Sequence, residues 1–344
     1  MSSLDVKIGQ MLLVGFRGLT VDERHPIVTA IRQHQLGGVI FFDYDRPSQT
    51  PVRNIESPEQ VRQLTASLQA HADIPLFVGI DQEGGRVNRL KERYGFPPTF
   101  SAQFLGQQSV DMTRQQAEQT ASHLENAGIN LNFAPVVDLN RNPDSPAIGS
   151  VERSFSADAQ VVITHARAWI EAHHACGILC ALKHFPGHGS AREDSHLGFV
   201  DVTTTWRPEE LRPYQQLLQE GFDDVIMTAH IFHNGLDPAY PSTLSRSIVT
   251  GMLRERLGFN GVVISDDMQM QAIAAHYDLE TAIFFAISAG IDILTFGNNL
   301  SVYDKQIAAR AVEIISRLVD SGRISSERIH ASYRRIMRLK KRLI

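Results

Sequence analysis

The stretch ILCALKHF, residues 178–185, opens on five apolar residues and then carries a lysine and a histidine. An apolar run without polar alternation is the pattern of a strand buried on both faces, as in a parallel sheet covered by helices. Charged residues at its C-terminal end stand where a barrel of such strands carries its chemistry. Seven further runs share the apolar pattern: MLLVGF (11–16), GGVIFF (37–42), PLFVGID (75–81), LNFAPVVD (131–138), DDVIMTAH (223–230), GVVISDD (261–267) and DILTFG (292–297). Amphipathic segments lie between several of them. SPEQVRQLTASLQAHA (57–72) opens with a serine N-cap and a proline at the first helical position. QQAEQTASHLENAG (115–128) and ADAQVVITHARAWIEAHHACG (157–177) both end on glycine, a frequent helix terminator. Eight buried runs alternating with helices predict an α/β fold, a (β/α)8 barrel spanning residues 1–344 as a single catalytic domain. The rival, a doubly wound sheet, lacks its phosphate fingerprint, because DQEGGRV has two glycines without the GxGxxG spacing.

Composition narrows the partners. Hydrophobic residues make up 43% of the 344, enough for a sizeable core, and the net charge is −5. No basic block precedes the last ten residues, so no nucleic-acid partner is expected. The basic C-terminal YRRIMRLKKRLI reads as a solvated helix face with Ile336, Leu339 and Leu343 turned inward. Cys176 and Cys180 are too few for a disulfide framework; they read as small core residues and fit a reducing compartment. The N-terminal MSSLDVKIGQMLLVGF has too short an apolar run for a signal peptide or membrane span. The expectation is a soluble cytoplasmic monomer with no membrane partner.

Under the barrel reading, charged groups collect at the strand ends. They are Asp81, Glu83, Arg86 and Arg89 after the third run, and Asp138 after the fourth. Lys183 and His184 follow on the fifth, His230 on the sixth, and Asp266 and Asp267 on the seventh. One of the two adjacent aspartates is expected to face away, because neighbours on a strand alternate. Asp138 reads equally as a turn cap, and His230 as a buried histidine bonded to a backbone carbonyl. His123, His165, His173 and His174 lie in helical segments and read as surface or satisfied residues.

The stretch KHFPGHGSAREDSH (183–196) holds three histidines and admits three readings. A metal site would use His184, His188, Asp194 and His196, but the spacings match no helical zinc signature. A phosphate loop would need GxxxxGK[ST], which is not there. Acid–base catalysis would use Asp194 and His196, two apart and able to face one side, the carboxylate fixing the imidazole tautomer and raising its basicity. Gly187 and Gly189 would then let the loop close over a substrate.

KHFPGHG, a short spacer and D-S-H resemble the signature of the β-N-acetylglucosaminidase branch of family 3 glycoside hydrolases. GIDQEGGRVNRL (79–90), ERSF (152–155), IMTAHI (226–231) and VVISDDMQM (262–270) resemble further blocks of that family in the same order. The resemblance implies a retaining exo-acting enzyme that removes terminal N-acetylglucosamine. Asp266 would be its nucleophile, and His196 the acid/base with Asp194 as its partner. Asp81, Arg89, Arg153, Lys183 and His184 would hold the sugar and His230 would line the site, with Arg86 supporting its loop. It implies a small carbohydrate or muropeptide substrate from peptidoglycan recycling, and neither metal nor organic cofactor. Chito-oligosaccharides are the alternative substrate, and phosphate an alternative acceptor. Two readings from other classes stay open: a metal-dependent hydrolase built on the histidines, and a sugar-binding protein without catalysis.

Overall fold

Each of the eight apolar runs contains a strand in the computed structural model, which describes residues 3–195 and 198–343. The strands are β1 (Leu12–Gly15), β2 (Gly38–Phe41), β3 (Phe77–Ile80), β4 (Leu131–Asn132), β5 (Leu179–Phe185), β6 (Val225–Thr228), β7 (Val262–Asp267) and β8 (Ile293–Phe296). They pair in sequence order, all parallel, and β1 closes the barrel on β8 through Leu12↔Leu294, Leu13↔Thr295 and Val14↔Phe296. The fold is therefore the (β/α)8 barrel that the alternation predicts. β4 is far shorter than its apolar run. Pro135 has no N–H to give a ladder, so the chain leaves regular pairing there and meets the β5 backbone again at a bridge between Val136 and Lys183.

Local chemistry explains the helix boundaries. The helix Pro58–Ala70 starts where Ser57 accepts from the Gln60 amide, with proline in its first turn. The helices Val110–Asn126 and Ala159–Ala175 stop just before Gly128 and Gly177, which take φ of +72° and +69°. The segment after β6, Ser247–Arg256, is wound as a π-helix.

The C-terminal helix Ser326–Lys340 buries Ile336 and Leu339 as its pattern predicts, but its basic end is not wholly solvated. Lys340 is buried and donates to Gln10 Oε1 at 2.7 Å and to the Gly37 carbonyl at 2.8 Å. Burial pushes its amine down to about 7. Cys176 caps a helix while Cys180 sits inside β5, so the two share no helical face. Among the described residues, no helix is long and apolar enough to cross a membrane.

The three long polar stretches at 43–57, 139–156 and 186–207 all follow C-terminal strand ends. The middle one is anchored by a small apolar cluster of Val136, Ala147 and Ile148, separate from the main core.

Candidate active site

A cleft of about 460 Å³ opens at the C-terminal ends of the strands, within the range of small-ligand sites. Asp81, Arg86, Arg89, Arg153, Lys183, His184, Asp194, Asp266 and Asp267 all contribute to its wall. Residues from four strand ends, those of β3, β4, β5 and β7, thus meet at one mouth.

The floor is an ion-pair chain. Lys183, buried at the end of β5, donates to Asp81 Oδ1 at 2.8 Å and lies 2.6 Å from Glu83 Oε1. Arg153 reaches the same glutamate with two donors, at 2.8 and 2.7 Å. Arg89 lies 3.5 Å from Asp81. Burial alone would raise Asp81, but Lys183 and Arg89 outweigh it and hold its carboxyl far below the usual range. Burial likewise opposes Glu83, and Arg153 and Lys183 pull it down. Both stay ionised, two acceptors rigidly placed among cations. Glu83 follows Asp81 by two, yet no motif assigns it a task; its role as hub of the cations emerges only in space.

His184 is set by a second buried group. Asp138 is fully enclosed and accepts from the His184 amide, from the His188 amide at 2.8 Å and from His184 Nδ1 at 2.7 Å. Arg153 Nη2 donates to His184 Nε2 at 3.2 Å, so the imidazole proton belongs on Nδ1. Burial, then the charges of Arg153 and Lys183, push this imidazole well below its usual range, which keeps it neutral. Asp138 is therefore more than a turn cap: it fixes the tautomer and places the start of the 186–195 turn.

The two adjacent aspartates depart from strict alternation. The pairing of β7 with β8 shifts register between Ile264 and Asp267, and both Asp266 and Asp267 reach the cleft. The Asp267 amide donates to Asp266 Oδ1 at 2.7 Å, which orients the nucleophile candidate. His230 stands one layer behind, with Nδ1 2.8 Å from Thr243 Oγ1 and Nε2 3.0 Å from the Asp267 carbonyl. The second contact is the bond to a backbone carbonyl that its bland reading describes. Arg86 is exposed on the cleft wall, so it does not brace its loop from within.

The stretch 186–195 packs down rather than standing free. A side chain at Gly189 would meet the Leu139 carbonyl at 1.7 Å, and one at Gly187 would meet Glu210 at 2.7 Å. These glycines permit close backbone approach, a different use from the hinge their spacing suggests. Asp194 lines the cleft; His196, its predicted partner, lies outside the described residues.

The metal reading of this stretch finds other partners in place, since His184 turns to Asp138 and His188 lies 3.3 Å from Ser195 Oγ. The only described side chains grouped closely enough to hold an ion are His174, Cys180 and Asp224, at the opposite end of the barrel. The helical histidines are satisfied as expected: His165 pairs with Thr113, and His173 with Asn132 and the Trp169 carbonyl.

The sequence profile of the glycosyl hydrolase family 3 N-terminal domain matches residues 3–339. Beta-hexosaminidase A of Pseudoalteromonas piscicida is 30% identical, over 98% of this chain and 60% of its own length. The chain thus spans three-fifths of that relative. A beta-hexosaminidase of Xylella fastidiosa (strain M23) is 35% identical over 83% of this chain and 82% of its own. The solved structure of a glycoside hydrolase family 3 beta-N-acetylglucosaminidase from Paenibacillus sp. str. FPU-7 superposes with a TM-score of 0.88 at 33% identity, covering 99% of this chain and 63% of that one.

Proposed function

This chain belongs to glycosyl hydrolase family 3, and on that premise we propose that it is a retaining exo-β-N-acetylglucosaminidase, its barrel acting as a single catalytic unit. Asp266 attacks the anomeric carbon and displaces the aglycone, forming a glycosyl ester. His196, oriented by Asp194, gives its proton to the departing oxygen. It then takes a proton from the incoming water, which opens the ester and releases the sugar with retention. Asp81, Arg89, Arg153, Lys183 and His184 hold the terminal sugar, and His230 supports the wall through Asp267. The reaction calls for no metal or organic cofactor.

The observation that carries this reading is one shared cleft. Asp266 from β7 and Asp194 from the stretch after β5 line the same 460 Å³ space, floored by the ion pairs of Lys183. Such a site can present an ionised nucleophile and a proton donor to one linkage, with ionised acceptors and cationic donors for sugar hydroxyls. The substrate proposed is a peptidoglycan fragment met in the cytoplasm during cell-wall recycling, with chito-oligosaccharides as the alternative. Once it has given up its proton, the neutral imidazole carries no negative charge to repel an anionic acceptor, so phosphate can compete with water.

The test compares chromogenic β-N-acetylglucosaminide with β-glucoside, with and without chelator, in wild type and Asp266→Asn. Preference for the glucoside, loss of activity on chelation, or full activity of the variant would overturn the reading. Muropeptides and chito-oligosaccharides, each assayed with and without phosphate, then separate the substrates and acceptors.

A further inference from the structure

Under the turn that carries Asp194 lies a carboxyl that the reaction does not use. Glu210, in the short helix Pro208–Leu211, is fully enclosed. Its Oε1 accepts only a long bond from the Arg207 amide at 3.4 Å, and its Oε2 finds no hydrogen-bond partner among the described residues. Around it stand Gly187, whose open face Glu210 fills, and Ser190, whose buried hydroxyl makes no well-formed hydrogen bond among the described residues but lies close enough to favour the Glu210 carboxylate. The Tyr214 hydroxyl from the following helix and His188 Nδ1 from the turn are buried and, among the described residues, unpartnered too. Buried polar atoms are paired in the great majority of cases, so this gathering of orphans beneath one turn marks a device rather than packing.

We infer that Glu210 is a positioning residue whose carboxyl, packed under Gly187 and Ser190, latches the turn bearing Asp194 onto the barrel rim. The catalytic consequence rests on the roles proposed above for Asp194 and His196; the latch itself does not.

Two buried carboxyls share this space, and their surroundings differ. Asp138 accepts from three donors, two of them backbone amides, whereas Glu210 has one weak donor. Burial raises both carboxyls, and Glu210, with the weaker set of donors, is the one that takes a proton first. Burial pushes its carboxyl up to about 7, and Asp138 adds to the rise against the pull of the Ser190 hydroxyl, the Arg207 amide and Arg141. Burial also pushes the His188 imidazole down and the Tyr214 phenol up, so both stay neutral.

As the acid, Glu210 can donate to Ser190. As the carboxylate, it sits enclosed near Asp138 and gains by reaching water, which requires the turn to lift. The closed turn holds the raised value and the lifted turn the ordinary 4.5. The latch is complete below pH 4.5, weakens as pH rises from there, and has lost its whole protonic contribution above about 7.

The test is amide hydrogen exchange of residues 187–195 between pH 5 and 8.5 in the wild-type chain and in Glu210→Gln, each rate divided by that of the unstructured chain. In wild type, the opening equilibrium should rise by roughly 10- to 100-fold between pH 5 and 7 and then level off. Glu210→Gln, which keeps the shape and cannot ionise, should show no such step. A pH-independent turn in wild type, or the same step in both proteins, would overturn the latch. The wild-type profile stands alone if the variant misfolds. A chain without N-acetylglucosaminidase activity at any pH would sink the proposed function while leaving the exchange result intact.

Discussion

Asp138→Asn should unsettle the site from beneath without touching the reacting groups. Asp138 Oδ1 serves two backbone amides, those of His184 and His188, and Oδ2 serves His184 Nδ1 at 2.7 Å. An asparagine that keeps its oxygen on the two amides turns its NH2 toward Nδ1–H, donor against donor. If His184 escapes by moving its proton to Nε2, that proton faces Arg153 Nη2 at 3.2 Å, and the conflict is passed on. Losing one hydrogen bond to a charged group, about 1.5–3 kcal/mol, and stranding one buried donor, about 1–3 kcal/mol, together predict a loss of about 2.5–6 kcal/mol. The cleft loses its fixed His184 and Arg153, so kcat/KM should fall by about 100-fold. Urea unfolding followed by tryptophan fluorescence and by circular dichroism reads the stability, with coincident transitions required for a free energy. Asp144→Asn, an exposed change in the same segment, is the control and should stay within about 0.5 kcal/mol. A loss under about 1 kcal/mol with unchanged kcat/KM would refute the claim that Asp138 organises His184.

Asp81 gives a pH prediction. Its carboxyl is held far below the ordinary 3.8 by Lys183 and Arg89, so its stabilising contribution is present above that value and fades as pH falls through the lower, folded one. The stability gap between wild type and Asp81→Asn should be level above pH 5 and shrink in acid; a gap that widens in acid would contradict the ion-pair account. Gly189→Ala places a methyl 1.7 Å from the Leu139 carbonyl, and the overpacking should cost about 1–3 kcal/mol and lower kcat/KM; equal activity and melting temperature would show that the turn is not held down there. His196→Ala should slow substrates with poor leaving groups far more than activated aryl ones. Equal losses across a leaving-group series would remove His196 from the acid role.

Much of the barrel was legible because its signal is local. Strands buried on both faces must be apolar throughout, and the caps at Ser57, Gly128 and Gly177 depend on the residues beside them. The same locality exposed the charged residues at strand ends, since an apolar run that stops at Asp81, Lys183 or Asp266 is visible in one dimension. The linear signal fails where a residue's meaning depends on a neighbour far along the chain. Gly187 and Gly189 looked like a hinge until Glu210 and Leu139 came up against them. Asp266 and Asp267 were expected to diverge until a register shift against β8 turned both to the cleft. Lys340 looked solvated until Gln10 and Gly37 enclosed it.

The linear order of residues by itself determined the eight strands, their alternation with helices and the residue types gathered at one barrel mouth, because burial and periodicity are properties of short windows. Tertiary structure alone decided which charges pair, which tautomer His184 adopts and which carboxyl lies enclosed under the turn that bears Asp194. Those depend on distances across the closed barrel and on how much water is excluded, and both are set only when segments more than a hundred residues apart, such as Asp81 and Lys183, are brought within hydrogen-bond reach.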